Sequence, residues 1–147
     1  MVSEFRSFID EFTTEPHPAK HHEVLIKRLQ MVADGKIPRL MVFMPPGAAK
    51  SYYANVMFSA WWMTRNHGGK LITSSYSQEV ADKWGRRVRS IVRDERYRDA
   101  FGVTLSQESQ AAGRWALNDG TEYYAVGVGG SITSFRADGA ILDDPVK

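Results

Sequence analysis

The chain has 147 residues, 43% of them hydrophobic and 24% charged, with a formal net charge of +2. That is enough to bury a hydrophobic core in one domain, and the charge is too small to imply a nucleic-acid partner unless basic residues cluster. The chain has no cysteine, which excludes a disulfide framework and a thiolate metal site, and no stretch reaches the roughly 18 to 20 apolar residues of a membrane span.

In chain order, Phe5, Phe8, Ile9 and Phe12 recur at helical spacing before the Thr-Thr-Glu-Pro-His-Pro break, so residues 1 to 20 read as a lead-in helix or arm. This acidic start, MVSEFRSFIDEF, is unlike a signal peptide and makes an intracellular protein the expectation. From His21 to Asp34, Val24, Leu25, Leu29 and Val32 form an amphipathic stripe that Gly35 closes. The four histidines, His17, His21, His22 and His67, lack metal-ligand spacing.

Arg39 to Met44 is continuously apolar after its first residue and reads as a strand buried on both faces. It breaks at Pro45-Pro46, passes through Gly47-Ala48-Ala49 and delivers Lys50-Ser51 into an apolar helix over Ser51 to Thr64. Strand, tight loop and helix start, with a lysine and a hydroxyl at the junction, is the order that holds a nucleotide's phosphates. Backbone N–H groups of Pro46 to Ser51 other than the proline would face the anion, Lys50 would reach the β/γ-phosphates, and Ser51 would ligate Mg²⁺. The usual pattern G-x-x-x-x-G-K-[ST] has glycines where this chain has Met44 and Ala49, so residues 48 and 49 are expected at φ values that alanine tolerates. The same order also suits an ordinary strand-turn-helix corner.

Trp61-Trp62 read as core, because nothing basic follows until Arg65, and Asn66 to Gly69 is a turn. Lys70 to Ser75 is a second strand, followed by a helix from about Ser77 with Glu79 in its first turn. On that helix Val80, Trp84, Val88 and Ile91 share one face, and Arg86, Arg89, Arg93 and Arg96 the opposite one. The basic face is either solvated, with Asp82, Asp94, Glu95 and Asp99 nearby, or a contact for a phosphate backbone. Phe101 to Gly113 reads as a loop, and Asn118-Asp119-Gly120 joins Trp115–Leu117 to Glu122–Val126 in a hairpin. Gly127 to Gly130 is a connector. Gly139 to Lys147, GAILDDPVK, is an apolar run ending in two carboxylates: Asp143 suits Mg²⁺ and Asp144 suits orienting or deprotonating a water.

In order and spacing, MPPGAAKS, SSYSQEVADKWGRRVR, RWALNDGTEYYAVGVGGSITSFRAD and ILDDPVK resemble the ATPase domain of tailed-phage terminase large subunits, the DNA-packaging motors. The resemblance runs from about His21 to Lys147. It implies a RecA-like (ASCE) P-loop fold, an α/β architecture with a mostly parallel sheet, incomplete at its C-terminus. Residues 1–37 would be a helical lead-in and 38–147 the ATPase core. It implies ATP and Mg²⁺ as cofactors and hydrolysis that drives double-stranded DNA into a prohead. The partners would be that DNA, through contacts such as Arg86, Arg89 and Arg93, the portal protein, the small terminase subunit and further copies in a ring. The setting would be the cytoplasm of a bacterial host.

By matching position, Lys50 and Ser51 take the Walker A roles within the Pro46-Gly47-Ala48-Ala49 loop. Asp143 takes the Walker B metal role, and Asp144 stands for the catalytic carboxylate that is glutamate in many relatives. Some relatives carry an arginine where this chain has Gly47, and Arg136 is the candidate to take over its task. Relatives with this type of loop usually have serine at position 48 and glycine at position 134, where Ala48 and Ser134 stand here. No coupling motif or nuclease carboxylate cluster follows Asp144, so nuclease activity is not expected. A prophage remnant or binding module without turnover, and another P-loop ATPase such as a helicase, are the alternatives. Convergence of Lys50 with Asp143 and Asp144 on one triphosphate-sized hollow is the geometric expectation.

Overall fold

In the computed structural model, which describes residues 2–132 and 135–146, the N-terminal phenylalanines fall on one buried helix face. Helix α1 (Glu4–Phe12) starts where the Ser3 hydroxyl accepts the Arg6 N–H at 3.2 Å, a side-chain cap for an otherwise unbonded amide. Phe5, Phe8, Ile9 and Phe12 are buried. The Phe5 ring stacks on Trp61 at 4.8 Å and meets the edge of Phe58 at 5.6 Å, the offset and edge geometries aromatic rings prefer. Helix α2 (Lys20–Ala33) buries Leu25, Ile26 and Leu29, whereas Val24 is 61% exposed. The expected stripe is therefore displaced toward Ile26. The Gln30 side-chain carbonyl accepts the Phe5 N–H at 2.9 Å and ties the two helices.

Two compact units make up the chain, Met1–Trp62 and Met63–Lys147. Residues 45–51 belong to the first of these with the N-terminal helices.

Among the described residues Leu40 to Met44 is not a strand of any sheet. The segment is extended, and among the described residues no backbone hydrogen bond uses its N–H or C=O groups. Met41 and Phe43 are 78% and 85% exposed, while Leu40, Val42 and Met44 are half-buried. With His21, Val24, Leu25 and Arg28 of α2, this segment lines an open groove of about 550 Å³. A short apolar run does not by itself distinguish a strand buried on both faces from a chain lining a groove. After the loop, the helix winds first as a π-helix (Tyr52–Met57) and then as α3 (Phe58–Arg65). Tyr52, Tyr53, Val56, Met57, Trp61 and Trp62 are all buried, so the apolar segment is core.

The second unit is built on a five-stranded sheet in the order β2-β3-β4-β1-β5, from β1 (Lys70–Ser75), β2 (Leu105–Ala111), β3 (Arg114–Leu117), β4 (Glu122–Gly127) and β5 (Gly139–Leu142). β1 pairs parallel with β4 and β5, with Leu71 opposite Tyr123 and Gly139, whereas β2–β3 and β3–β4 are antiparallel. The sheet is therefore mixed. This overturns the RecA-like, mostly parallel sheet that the resemblance implies, as does the absence of Leu40–Met44 from it. The reason is local: the Asn118-Asp119-Gly120 turn and the Ala112-Gly113 turn are too short for anything but antiparallel neighbours.

Helix α4 (Gln78–Val92) packs on β4 and β1, and α5 (Glu95–Phe101) follows. Its buried residues are Ala81, Gly85, Val88 and Val92, so the face read as Val80, Trp84, Val88 and Ile91 is rotated. Gly85 explains the rotation, since a Cβ there would stand 2.4 Å from the Ala112 carbonyl oxygen; the helix approaches the β2–β3 turn too closely for a side chain. Under α4, Trp115 and Tyr123 stack at 4.6 Å, both fully buried.

Candidate functional site

The loop from Pro45 to Ser51 is shaped by three local constraints. Pro46 fixes its own φ and Gly47 takes φ 80°, while the Ala48 N–H donates to the Pro45 carbonyl at 3.2 Å. Proline followed by a left-handed glycine and a closing bond is a type II turn. Ala49 then adopts φ 57°, a left-handed conformation that costs a residue with a Cβ roughly 1–2 kcal/mol. The expectation of a φ that alanine tolerates is thus wrong at Ala49. The helix begins at once, with the Tyr53 N–H reaching the Ala49 carbonyl at 3.3 Å. Lys50 and Ser51, both half-buried, occupy the first turn of that helix.

A residue outside the loop holds it. The His22 ring lies 4.7 Å from the Tyr53 ring and 3.9 Å from His21. Its Nδ1 accepts the Ala19 N–H at 3.1 Å, so Nε2 carries the proton and donates to the Ala48 carbonyl at 2.8 Å. In the sequence His22 stands out only as a possible metal ligand. The signal was its place in the first turn of the helix preceding the loop. The adjoining Tyr52 hydroxyl is 2.7 Å from the Thr13 hydroxyl and accepts the Thr14 N–H at 3.3 Å. Burial pushes the Tyr53 phenol above its ordinary pKa, which keeps it neutral.

In the second unit the carboxylates stand at the carboxyl end of the parallel strands. The Asp143 N–H donates to the Ser74 carbonyl at 2.8 Å, and its residue is 7% exposed. Asp144 follows at φ 46°, exposed and ahead of Pro145. Beside them, Tyr123 places its hydroxyl 3.0 Å from that of Thr73. Burial above all, and then the negative charges of Asp143 and Asp82, push that phenol far up against the pull of Thr73.

Arg136 is exposed and precedes β5, next to Asp138, whose N–H donates to the Lys70 carbonyl at 2.8 Å at the amino end of β1. It stands before the amino end of β5 (Gly139–Leu142), whereas Asp143 follows the carboxyl end, so the length of the strand separates Arg136 from the carboxylates. Ser134 lies outside the described residues.

The basic face of α4 is partly consumed by structure. Arg89 donates to the Gln110 backbone carbonyl, and Arg93 to the Gln110 side chain at 3.1 Å. Burial, then the charges of Arg93 and Arg86, lower the Arg89 pKa. Arg96 is clamped on Asp94 at 2.8 Å, and Arg86 is exposed. Lys83 and Arg87 lie 5.0 and 5.6 Å from the Trp84 ring centroid, a cation–π arrangement.

An ammonium, a hydroxyl and backbone amides at a helix start form a donor set suited to phosphate oxygens. Mg²⁺ fits the same chemistry, since it keeps most of its water and needs only one or two protein oxygens beside the phosphates. Among the described residues no helix is long and apolar enough to cross a membrane. No protein-family model, curated protein or solved structure matches the chain.

Proposed function

We propose that the chain binds a nucleoside triphosphate with Mg²⁺, through Gly47 to Ser51, and serves as the nucleotide-binding part of a DNA-packaging ATPase of the terminase type. The observation that supports this is the loop itself, a type II turn at Pro46-Gly47 running through left-handed Ala49 into Lys50-Ser51 at a helix start. Strain in an L-residue persists where surrounding structure enforces it, and such sites are often functional. Lys50 carries the charge that the β/γ-phosphates need and Ser51 the Mg²⁺ oxygen. Asp143 as a metal carboxylate and Asp144 as the group that orients water belong to this reading through the resemblance alone. Double-stranded DNA, the portal, the small subunit, ring assembly and a place in the host cytoplasm belong to this reading through the resemblance alone. The mixed sheet departs from the fold that the resemblance implies, so the proposal rests on the loop.

A second reading, nucleotide binding without turnover, is favoured by Leu40–Met44, which among the described residues joins no ladder that would anchor the loop from behind. Calorimetry with Mg-ATP, followed by phosphate release, separates the two. Binding that Lys50→Ala abolishes, with release above background, supports the motor reading. Binding without release supports the second. No binding by the wild-type chain refutes both.

A further inference from the structure

We infer that His22 is the positioning residue of the phosphate loop: by holding the Ala48 carbonyl it aims the Ala49 N–H at the bound anion. The inference rests on the nucleotide reading for the identity of the anion, and on geometry for the rest.

A trans peptide points its C=O and N–H in opposite directions, and the described residues contain no cis bond. The Ala48 carbonyl points at His22 Nε2, 2.8 Å away. The amide of the same peptide unit, the Ala49 N–H, therefore points away from α2, and no described group accepts it. The imidazole cannot turn to another partner, because its Nδ1 is held by the Ala19 N–H at 3.1 Å and its face lies against Tyr53. Anchor and target thus share one rigid ring. Ala49 at φ 57° is the conformation this peptide orientation demands, reached without the glycine that usually makes it easy. A phosphate loop with alanine at this position needs an external clamp, and His22 supplies it.

The clamp makes a demand that ordinary packing does not: His22 must be the neutral Nε2–H tautomer. Ring ¹⁵N shifts of the wild-type protein test this directly, and an Nδ1–H tautomer overturns the inference even if no variant folds. The second test compares wild type, His22→Ala and His22→Gln, whose amide nitrogen can stand near the Nε2 position. In nucleotide-free protein, exchange of the Ala48 N–H, whose bond to the Pro45 carbonyl closes the turn that His22 braces, is expected to rise about tenfold in His22→Ala, since opening that turn then breaks roughly one hydrogen bond fewer, and to return toward wild type in His22→Gln. Unchanged exchange in His22→Ala overturns the clamp. With Mg-ATP, the Ala49 amide resonance is expected to shift strongly in wild type and weakly in His22→Ala, with about tenfold weaker binding by calorimetry. A wild-type chain that ignores Mg-ATP while Ala48 exchange depends on His22 refutes the nucleotide reading and leaves the clamp standing. An Ala49 amide that shifts equally in both proteins refutes the aiming role.

Discussion

The Gln78 side chain is wedged against the end of β4, its carbonyl accepting the Gly127 N–H at 2.9 Å and its amide donating to the Ala125 carbonyl at 3.1 Å. A Cβ on Gly127 would stand 2.3 Å from the Gln78 backbone nitrogen. Backbone cannot yield there as a side-chain tip could, so Gly127→Ala is expected to cost about 2–3 kcal/mol, read as a lowered urea midpoint of the second unit. Gln78→Ala leaves a buried-side amide without its acceptor and is expected to cost about 1–2 kcal/mol. Equal midpoints for wild type and Gly127→Ala would mean that the strand end is not locked.

Ala49→Gly should act in the opposite direction. Removing the Cβ at φ 57° relieves the left-handed strain, while the glycine gains freedom in the unfolded chain. The net expectation is a stabilisation of up to about 1 kcal/mol, seen in denaturant melts of the N-terminal unit. If the variant is destabilised by as much, the left-handed assignment at Ala49 is refuted.

The elements that could be read from sequence were those whose signals are local. Lys70–Ser75 is a strand and Ser77 caps α4, its hydroxyl accepting the Val80 N–H at 3.2 Å. The Asn118-Asp119-Gly120 turn forms because Asp119 accepts the Thr121 N–H at 3.0 Å and Gly120 takes φ 91°. What failed depended on distant partners. LSQESQA carries almost no apolar residue and reads as loop, whereas pairing with β3 and the contacts of Arg89 and Arg93 hold it as β2. The buried face of α4 differs from the periodic one because helical periodicity cannot register a glycine that permits close approach to Ala112. Arg39 to Met44 reads as a strand buried on both faces on apolarity alone, which does not distinguish it from a chain lining a groove. The role of His22 lies in two backbone contacts, at Ala19 and Ala48, toward which only its place in the first turn of α2 points.

Acid should weaken the second unit through Asp119. Partial burial raises its carboxyl, but hydrogen bonds from His67, 2.6 Å away, and from the Thr121 amide and hydroxyl outweigh this and hold it below the usual carboxylate range. A depressed folded pKa contributes stability that is fully present above the unfolded value near 3.9 and is lost as pH falls through the folded value. Asp94, held down by Arg96, acts in the same sense. Asp119→Asn is therefore expected to flatten, without abolishing, the fall in urea midpoint between about pH 4.5 and 2.5. An unaltered slope would show that the His67–Asp119 contact does not govern the turn.

Arg86 and Arg89 occupy the same basic stripe of α4 and should separate cleanly on substitution. Arg89 is half-buried and bonded to the β2 backbone, whereas the Arg86 side chain is exposed. Arg89→Ala is expected to cost about 1–2 kcal/mol of stability and to raise hydrogen exchange in β2. Arg86→Ala should change stability by no more than about 0.5 kcal/mol. If this face meets a DNA backbone, Arg86→Ala should weaken duplex binding irrespective of sequence and reduce the log–log salt slope by about one, measured by fluorescence anisotropy across a salt series. Should Arg86→Ala leave both affinity and slope unchanged, the stripe is a solvated face whose only task is to tether β2.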